Sequence, residues 1–330
     1  MAKRPPKKPL WIRIAGILVY SLVCLAAISI GALYSWVNQS AFMRQVLLSK
    51  LGIPPPAPAE VFQKDSINVL ILGADEDRVY GRIKPIRLQA RSDMMLLAKV
   101  DFKFRRITGV SIPRDTLVAL PGYKEQKING YHAIGAKISP DMGKQLAKQA
   151  VETLLSVPID KVILVDYAAL QDMVNLVGGV EIFVEKRMVY QDRAGRLNID
   201  LQPGRQRLDG SKALGYVRFR KDIGSDFARQ ARQKQFLLAF KTALRNNIGM
   251  LPQVLNKAVQ AMSGGLSEDE VNSLAHFAMA IGGDNIRLGQ IPVVDAPGYS
   301  LRVDYGKLAA TLAEYNLIGD ASGFPSARLS

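Results

Sequence analysis

Cysteine is nearly absent from this 330-residue chain: there is one, Cys24, and it sits inside an apolar segment. A lone cysteine excludes an intramolecular disulfide and any zinc site built on cysteines. Histidine is almost as scarce. His132 and His276 are the only two. Neither has metal-ligand spacing or a nucleophile nearby in sequence, so both read as structural residues and Ser/His/Asp hydrolase chemistry is disfavoured. Internal repeats and long low-complexity stretches are also missing. Acid is in deficit, with 29 Asp and Glu against 44 Lys and Arg, a net charge of +15. That excess points to anionic partners: nucleic acid, acidic lipid headgroups or phosphorylated substrates. Part of it is local, since MAKRPPKKPLWIR carries five basic residues and no acid. Such a run orients a membrane helix. The remainder is spread along the chain and rises around residues 205–234. Hydrophobic content of 48% is ample for a packed core.

Residues 14–37, IAGILVYSLVCLAAISIGALYSWV, carry no charge. About 20 apolar residues cross a bilayer as a helix, so this segment is expected to span one, with Tyr34 and Trp36 at its outer interface. Lys3, Arg4, Lys7, Lys8 and Arg13 hold residues 1–13 in the cytoplasm and send the rest outside. The run is longer than a signal-peptide core and lacks a clean small-x-small site, which favours a retained anchor over a cleaved leader. Residues 38–64 read as a juxtamembrane helix, AFMRQVLLSKLGI, followed by a stiff spacer containing Pro54, Pro55, Pro56 and Pro58.

After the spacer, INVLILGAD (67–75) reads as a buried strand stopped by a turn. SDMMLLAKVD (92–101) and RRITGVSI (105–112) form a hairpin. Residues 141–156 have helical periodicity. VILVDYAALQDMVNLVGGVEIFV reads as strand, helix, a Gly178-Gly179 stop and strand. Asp209 is placed to cap one helix, Ser225 or Asp226 a longer one, and Ser267-x-x-Glu270 is a capping box. IRLGQIPV (286–293) looks like a strand returning to the sheet. The fold class expected is α/β, a mixed central sheet sandwiched by helices and preceded by one transmembrane helix.

Polar groups collect at the strand ends, where open α/β sheets bind ligands. Asp75 ends the first strand, and Arg91 and Asp93 start the second. Asp75 and Asp93 suit a hard cation such as Mg²⁺, although each could instead cap a turn or pair with an arginine. Pro113 ends the third strand and directs Arg114 and Asp115 out of the sheet; a surface ion pair between these two is the bland alternative. Lys127-Ile128-Asn129 places a further cation in the next loop. The strongest signal is YVRFRKDIGSDFARQARQ, with four arginines in fifteen residues against two acids. Arg218 and Arg220 share a face if extended. Arg229 and Gln233 lie one helical turn apart, with Arg232 and Phe236 alongside. An anion at that helix start would satisfy both dipole and guanidinium, which grips phosphate bidentately; Asp226 is the competing partner.

INVLILGAD, ARSDMMLLAKVD, ITGVSIPRDTLVALPG, KINGYHAIG, VILVDYAALQDMVNLVGGVEI, LDGSKALGYVRFR and SDFARQARQKQFL, in this order over about residues 65–240, resemble blocks of the LytR-CpsA-Psr family of envelope proteins. IPRD alone is weak; the ordered set is specific. The resemblance implies an extracytoplasmic phosphotransferase that moves a glycan polymer from a polyprenyl-pyrophosphate carrier onto peptidoglycan. It further implies that Asp75 and Asp93 hold Mg²⁺ (or Mn²⁺) on the diphosphate, and that Arg91, Arg114, Arg218, Arg220, Arg229 and Gln233 bind its oxygens with Lys127 close by. The lipid tail is expected in an apolar tunnel. Asp115 or Asp226 is the candidate for orienting or deprotonating the attacking hydroxyl. The insertion-like RVYGRIKPIRLQ (78–89) departs from the family pattern, and residues 241–330 match it less specifically, as a continuation of the domain or a small helical addition. Rival readings are a pyrophosphatase acting with water, a non-catalytic lipid or glycan binder, and a DNA-binding attenuator, as older labels of the family suggest. Topology argues against the last, because the arginines would face away from the cytoplasm and its nucleic acid.

Overall fold

The segment INVLILG is apolar on both of its faces, and a strand of that kind is stable only when both faces are covered. The computed structural model covers them. It describes residues 56–74, 92–192, 197–219, 225–251, 253–254, 257–258 and 265–318, all within the second of two units that divide after Pro55. The expected membrane helix at 14–37 and the juxtamembrane helix lie outside these residues. Among those described, no helix is long and apolar enough to cross a membrane.

Pro58, read from sequence as the end of a stiff spacer, begins a helical turn, α1 (Pro58–Phe62). The central sheet follows: β1 (Ser66–Ala74), β2 (Ser92–Asp101) and β3 (Arg106–Ser111). A short ladder, β4 (Leu117–Val118) with β5 (Gln126–Lys127), leads to α2 (Asn129–Ala136) and α3 (Pro140–Leu155). Lys127 therefore lies in a strand pair, and Asn129 opens a helix, where a loop was expected. Ser139 caps α3 by accepting from the Met142 N–H. Then come β6 (Lys161–Asp166), α4 (Tyr167–Leu176), β7 (Val180–Val184), β8 (Met188–Asp192), β9 (Leu197–Leu201), β10 (Gly204–Leu208) and α5 (Gly210–Arg218). The chain continues with α6 (Ser225–Asn246), α7 (Glu268–Ala280), β11 (Ile286–Gln290), β12 (Val293–Ala296), β13 (Ser300–Val303) and α8 (Tyr305–Glu314).

The sheet order is β11-β3-β2-β1-β6. β1 pairs with β6 and β3 with β11 in parallel, while β2 runs antiparallel to both of its neighbours. Four strands thus point one way and β2 the other. The hairpin and the returning strand at 286–290 are as the sequence pattern predicts, and the sheet is mixed.

Alternation along β1 divides the core. Leu70 and Leu72 face a cluster with Tyr131 of α2, Leu146, Ala150 and Leu154 of α3, and Leu308 and Leu312 of α8. Ile67 and Val69 face the opposite cluster, with Phe102, Val271 and Phe277. There Phe102 is stacked on Phe62 and edge-on to Phe277, both at 5.4 Å between ring centroids. A third cluster joins the β7–β10 region to α4, α5 and α6 through Val180, Ile182, Ile199, Tyr216 and Phe236. Gly178 and Gly179 stop α4 with φ of 77° and 89°, a backbone that only glycine adopts without penalty. Asp209 caps α5 by accepting from the Lys212 N–H at 2.8 Å.

Candidate functional site

The directions of the strands gather the chemistry. β1, β3, β6 and β11 all end on one edge, and β2 starts there. Ala74 is paired with Ser92 across a register shift that follows Gly73, so the strand ends leading to Asp75 and to Arg91 and Asp93 are neighbours. Gly73 keeps this corner close-packed: a Cβ there would lie 3.1 Å from both Met94 Cβ and the Tyr167 ring. Tyr167, at the junction of β6 and α4, carries the Arg218 guanidinium over its ring at 4.6 Å from the centroid. Gln233, buried on α6, donates Nε2–H to Met94 Sδ at 3.6 Å. Arg218 of α5 and Gln233 of α6 therefore converge on the β1–β2 corner.

The same corner holds a buried hydroxyl. Ser92 is fully buried, and its Oγ has no hydrogen-bond partner among the described residues. It stands beside Asp93 in the chain, at the strand end paired with the residue before Asp75. Two carboxylates and a hydroxyl are oxygen donors without sulfur or imidazole, the set that suits a hard divalent ion. Among the described residues, no cluster of three potential ligand side chains occurs.

The second cluster lies past the end of β3. Pro113 closes a turn by accepting from the Thr116 N–H at 3.1 Å, which places Arg114 and Asp115 at its apex. Asp115 is shared: Lys127 Nζ donates to its Oδ1 at 2.9 Å, and Arg114 Nε stands 3.5 Å from its Oδ2. Lys127 also donates to the Tyr299 carbonyl at 2.8 Å. Asp115 thus holds two cations side by side, the kind of group that grips phosphate oxygens. Backbone bonds fix the loop from both sides, Ile128 N–H to Thr116 O at 2.8 Å and Leu301 N–H to Asp115 O at 3.0 Å.

The expected pairing of Arg218 with Arg220 on an extended face does not hold for Arg218. It is the last residue of α5, where a cation meets the negative end of the helix dipole. Ser225 and Asp226 already belong to α6 as described. Asp75, Arg91, Arg220 and residues 78–89 lie outside the described residues, as do the side chains of Asp93, Asp226 and Arg229. Arg232, grouped from sequence with the anion-binding residues, is an interior strut. It is 5% exposed, donates to the Phe219 carbonyl at 2.8 Å and lies over the Phe219 ring at 5.6 Å. Next to it, burial pushes the Tyr216 hydroxyl up to about 12, so it serves as a neutral donor to Gln235 Oε1 at 2.6 Å. His132 is buried in α2, and burial holds the His276 imidazole below its ordinary value. Both therefore sit inside the fold.

Comparison with known proteins supplies the family. The LytR_cpsA_psr family model matches residues 48–314. The chain is 32% identical over 289 residues, 84% of each chain, to polyisoprenyl-teichoic acid–peptidoglycan teichoic acid transferase TagT of Bacillus subtilis (strain 168). It spans about two thirds of the length of the next curated relatives it matches. Among solved structures, that of B. subtilis TagV superposes with a TM-score of 0.58 at 27% identity, over 76% of this chain and 97% of that one. TagT bound to LI-WTA superposes with a TM-score of 0.54 at 28% identity, over 78% and 92%. A family model covering most of the chain, together with a relative alike over most of its length, places this protein in the LytR_cpsA_psr family.

Proposed function

We propose that this protein transfers a glycan polymer of the teichoic-acid kind from a polyprenyl-pyrophosphate carrier to peptidoglycan; its TagT relative is named a polyisoprenyl-teichoic acid–peptidoglycan teichoic acid transferase. The observation that carries this reading is the convergence of Arg114, Lys127, Arg218 and Gln233 on one sheet edge. A diphosphate is the ligand that such a set of cations and amide matches.

In the reaction, an acceptor hydroxyl oxygen attacks the phosphorus on the glycan side. The bond to the bridging oxygen breaks, and polyprenyl phosphate departs with the electron pair. Negative charge grows on the leaving phosphate, and fixed cations stabilise it without reorganising. Arg114 and Lys127 supply this charge from one side and Arg218 from the other; Arg91, Arg220 and Arg229 extend the set. Gln233 orients a phosphate oxygen. Asp115 keeps Arg114 and Lys127 together, and either it or Asp226 orients the attacking hydroxyl and takes its proton. Asp75 and Asp93 would hold Mg²⁺ (or Mn²⁺), which neutralises diphosphate oxygens when bound. Residues 14–37 anchor the chain as a single-pass span with the N-terminus cytoplasmic and the domain outside. The site is then near the bilayer that carries its lipid substrate, and away from nucleic acid.

The test uses the full chain in lipid nanodiscs with polyprenyl-pyrophosphate-linked polymer, with and without peptidoglycan, and with Mg²⁺ or chelator. Wall-attached polymer formed only when peptidoglycan is present supports transfer. Equal release of phosphorylated polymer in both arms would show a pyrophosphatase. Unchanged turnover in chelator would remove the metal from the proposal, and a C-terminal reporter active only in the cytoplasm would overturn the topology.

A further inference from the structure

Tyr299 is the most exposed large apolar side chain among the described residues, at 98%. A whole aromatic face in water forgoes the free energy of burial that such side chains usually contribute. Its backbone is also costly. Gly298 and Tyr299 both adopt left-handed conformations, φ 75° and 52°, and for a bulky residue that is an outlier. Such strain persists where surrounding contacts impose it, and here they come from the site. The Tyr299 carbonyl accepts from Lys127 Nζ, the ammonium that also holds Asp115. The β12–β13 hairpin carrying it is fastened to the same loop. Leu301 N–H donates to Asp115 O, Thr116 bridges to Leu301, and Arg302 grips Glu125 bidentately at 2.9 and 2.8 Å. The Tyr299 backbone is therefore fastened at the site, its carbonyl one ammonium away from Asp115, while its side chain stands in solvent.

We propose that the Tyr299 ring is the stacking surface for a pyranose ring of the acceptor glycan, an assignment that rests on the transferase reading. The cations at the sheet edge suit the diphosphate of the donor. An aromatic face suits instead an uncharged sugar, whose axial C–H groups pack on it while its hydroxyls stay in water. A peptidoglycan strand is a long polymer and has to be met on an open surface. Held on Tyr299, one of its sugars would be on the segment whose backbone is tied to Lys127 and Asp115, the side from which a hydroxyl would approach the diphosphate.

Because the side chain is almost wholly exposed, substitutions there leave folding intact. The full chain is compared with Y299A, Y299F and Y299W in transfer to a soluble β-1,4-linked N-acetylhexosamine oligomer and in polymer release to water. Y299A is expected to raise KM for the oligomer by about tenfold, the loss of one stacking contact, while water release is unchanged. Y299F and Y299W retain low KM, and Y299W fluorescence shifts on titration with the oligomer. Wild-type KM in Y299A overturns the proposal. So does loss of water release or of thermal stability in Y299A, which would make the ring structural, or a Y299A defect in binding anionic vesicles rather than the oligomer, which would make it a membrane contact. Failure of the transferase reading is separable. A wild-type chain that transfers nothing yet binds the oligomer through Tyr299 would keep the glycan surface and discard the reaction.

Discussion

Arg114 and Arg232 show how differently one residue type serves a site. Arg114 is partly exposed, and its Nε stands against Asp115. Its removal deletes charge that matters in the transition state and little that holds the fold. Arg114→Ala is expected to lower kcat by about 10²–10³-fold, with a change in stability of about 0.5 kcal/mol or less. Arg114→Lys should fail to rescue it, since an ammonium lacks the planar fork. Steady-state transfer rates and thermal melts together check this. Arg232 is the reverse case. Arg232→Met leaves the Phe219 carbonyl without its donor, at a cost of about 1–3 kcal/mol, read as a lower denaturant midpoint. The turn that carries Arg114 and Asp115 was legible in the sequence because a strand-ending proline is a local signal, whereas the strand pairing that brings Lys127 to Asp115 was not. The inward turn of Arg232 was not, because it depends on where α5 ends and what Phe219 leaves uncovered. Nor was Tyr299, since nothing in the local composition of VVDAPGYS distinguishes a ring in water from one in the core; its exposure emerges only when the hairpin is set beside Lys127.

At the scale of elements, caps and periodicity were readable, and the partners of each element were not. Ser267 and Glu270 form the expected capping box of α7: Glu270 N–H donates to Ser267 Oγ at 3.2 Å and Ser267 N–H to Glu270 Oε2 at 2.8 Å. The pattern could not reveal that Glu270 also meets Lys161 of β6 at 2.7 Å, pinning the helix to the sheet. Burial pushes the Glu270 carboxyl up, but the Lys161 ammonium and the Ser267 N–H and hydroxyl outweigh it, so it titrates below its ordinary value. A carboxyl lowered on folding contributes stability that is fully present above its unfolded value and is lost as pH falls through the folded one. Glu270→Gln keeps the capping box in form while removing the charge. It is expected to melt lower than the parent at neutral pH and to lose less of its stability below pH 4.5, where the parent's advantage fades. Chemical denaturation at stepped pH checks the crossing trend. The misread state of Arg218 has the same origin. An extended strand and a final helical turn look alike over YVRFR, and stacking on Tyr167, some fifty residues earlier, accompanies the helical choice.

At the scale of the molecule, the least specific part of the sequence carries both fold and site. Residues 286–317 add the edge strand β11 and place Ile291, Val303, Leu308, Leu312 and Leu317 in the main core cluster. The same segment delivers the Tyr299 carbonyl to Lys127 and the Leu301 N–H to Asp115. These pairings span more than 170 residues, and no local pattern encodes contacts of that range. Deleting one buried leucine costs about 2–5 kcal/mol, against a total stability of about 5–15 kcal/mol for a domain. Losing Leu308 and Leu312 together with the edge strand therefore exceeds what the rest of the fold retains. A chain ending at Asn285 is expected to be unfolded by circular dichroism and protease-sensitive throughout. Removing residues 1–55 is a different operation, because the chain divides into two units after Pro55 and this cut takes away only the first. That truncation should melt within a few degrees of the full chain and keep transfer from a short-chain, detergent-soluble donor, while losing most transfer from donor embedded in vesicles. If both donors were used as well as by the full chain, the N-terminal segment would have no part in meeting the lipid substrate.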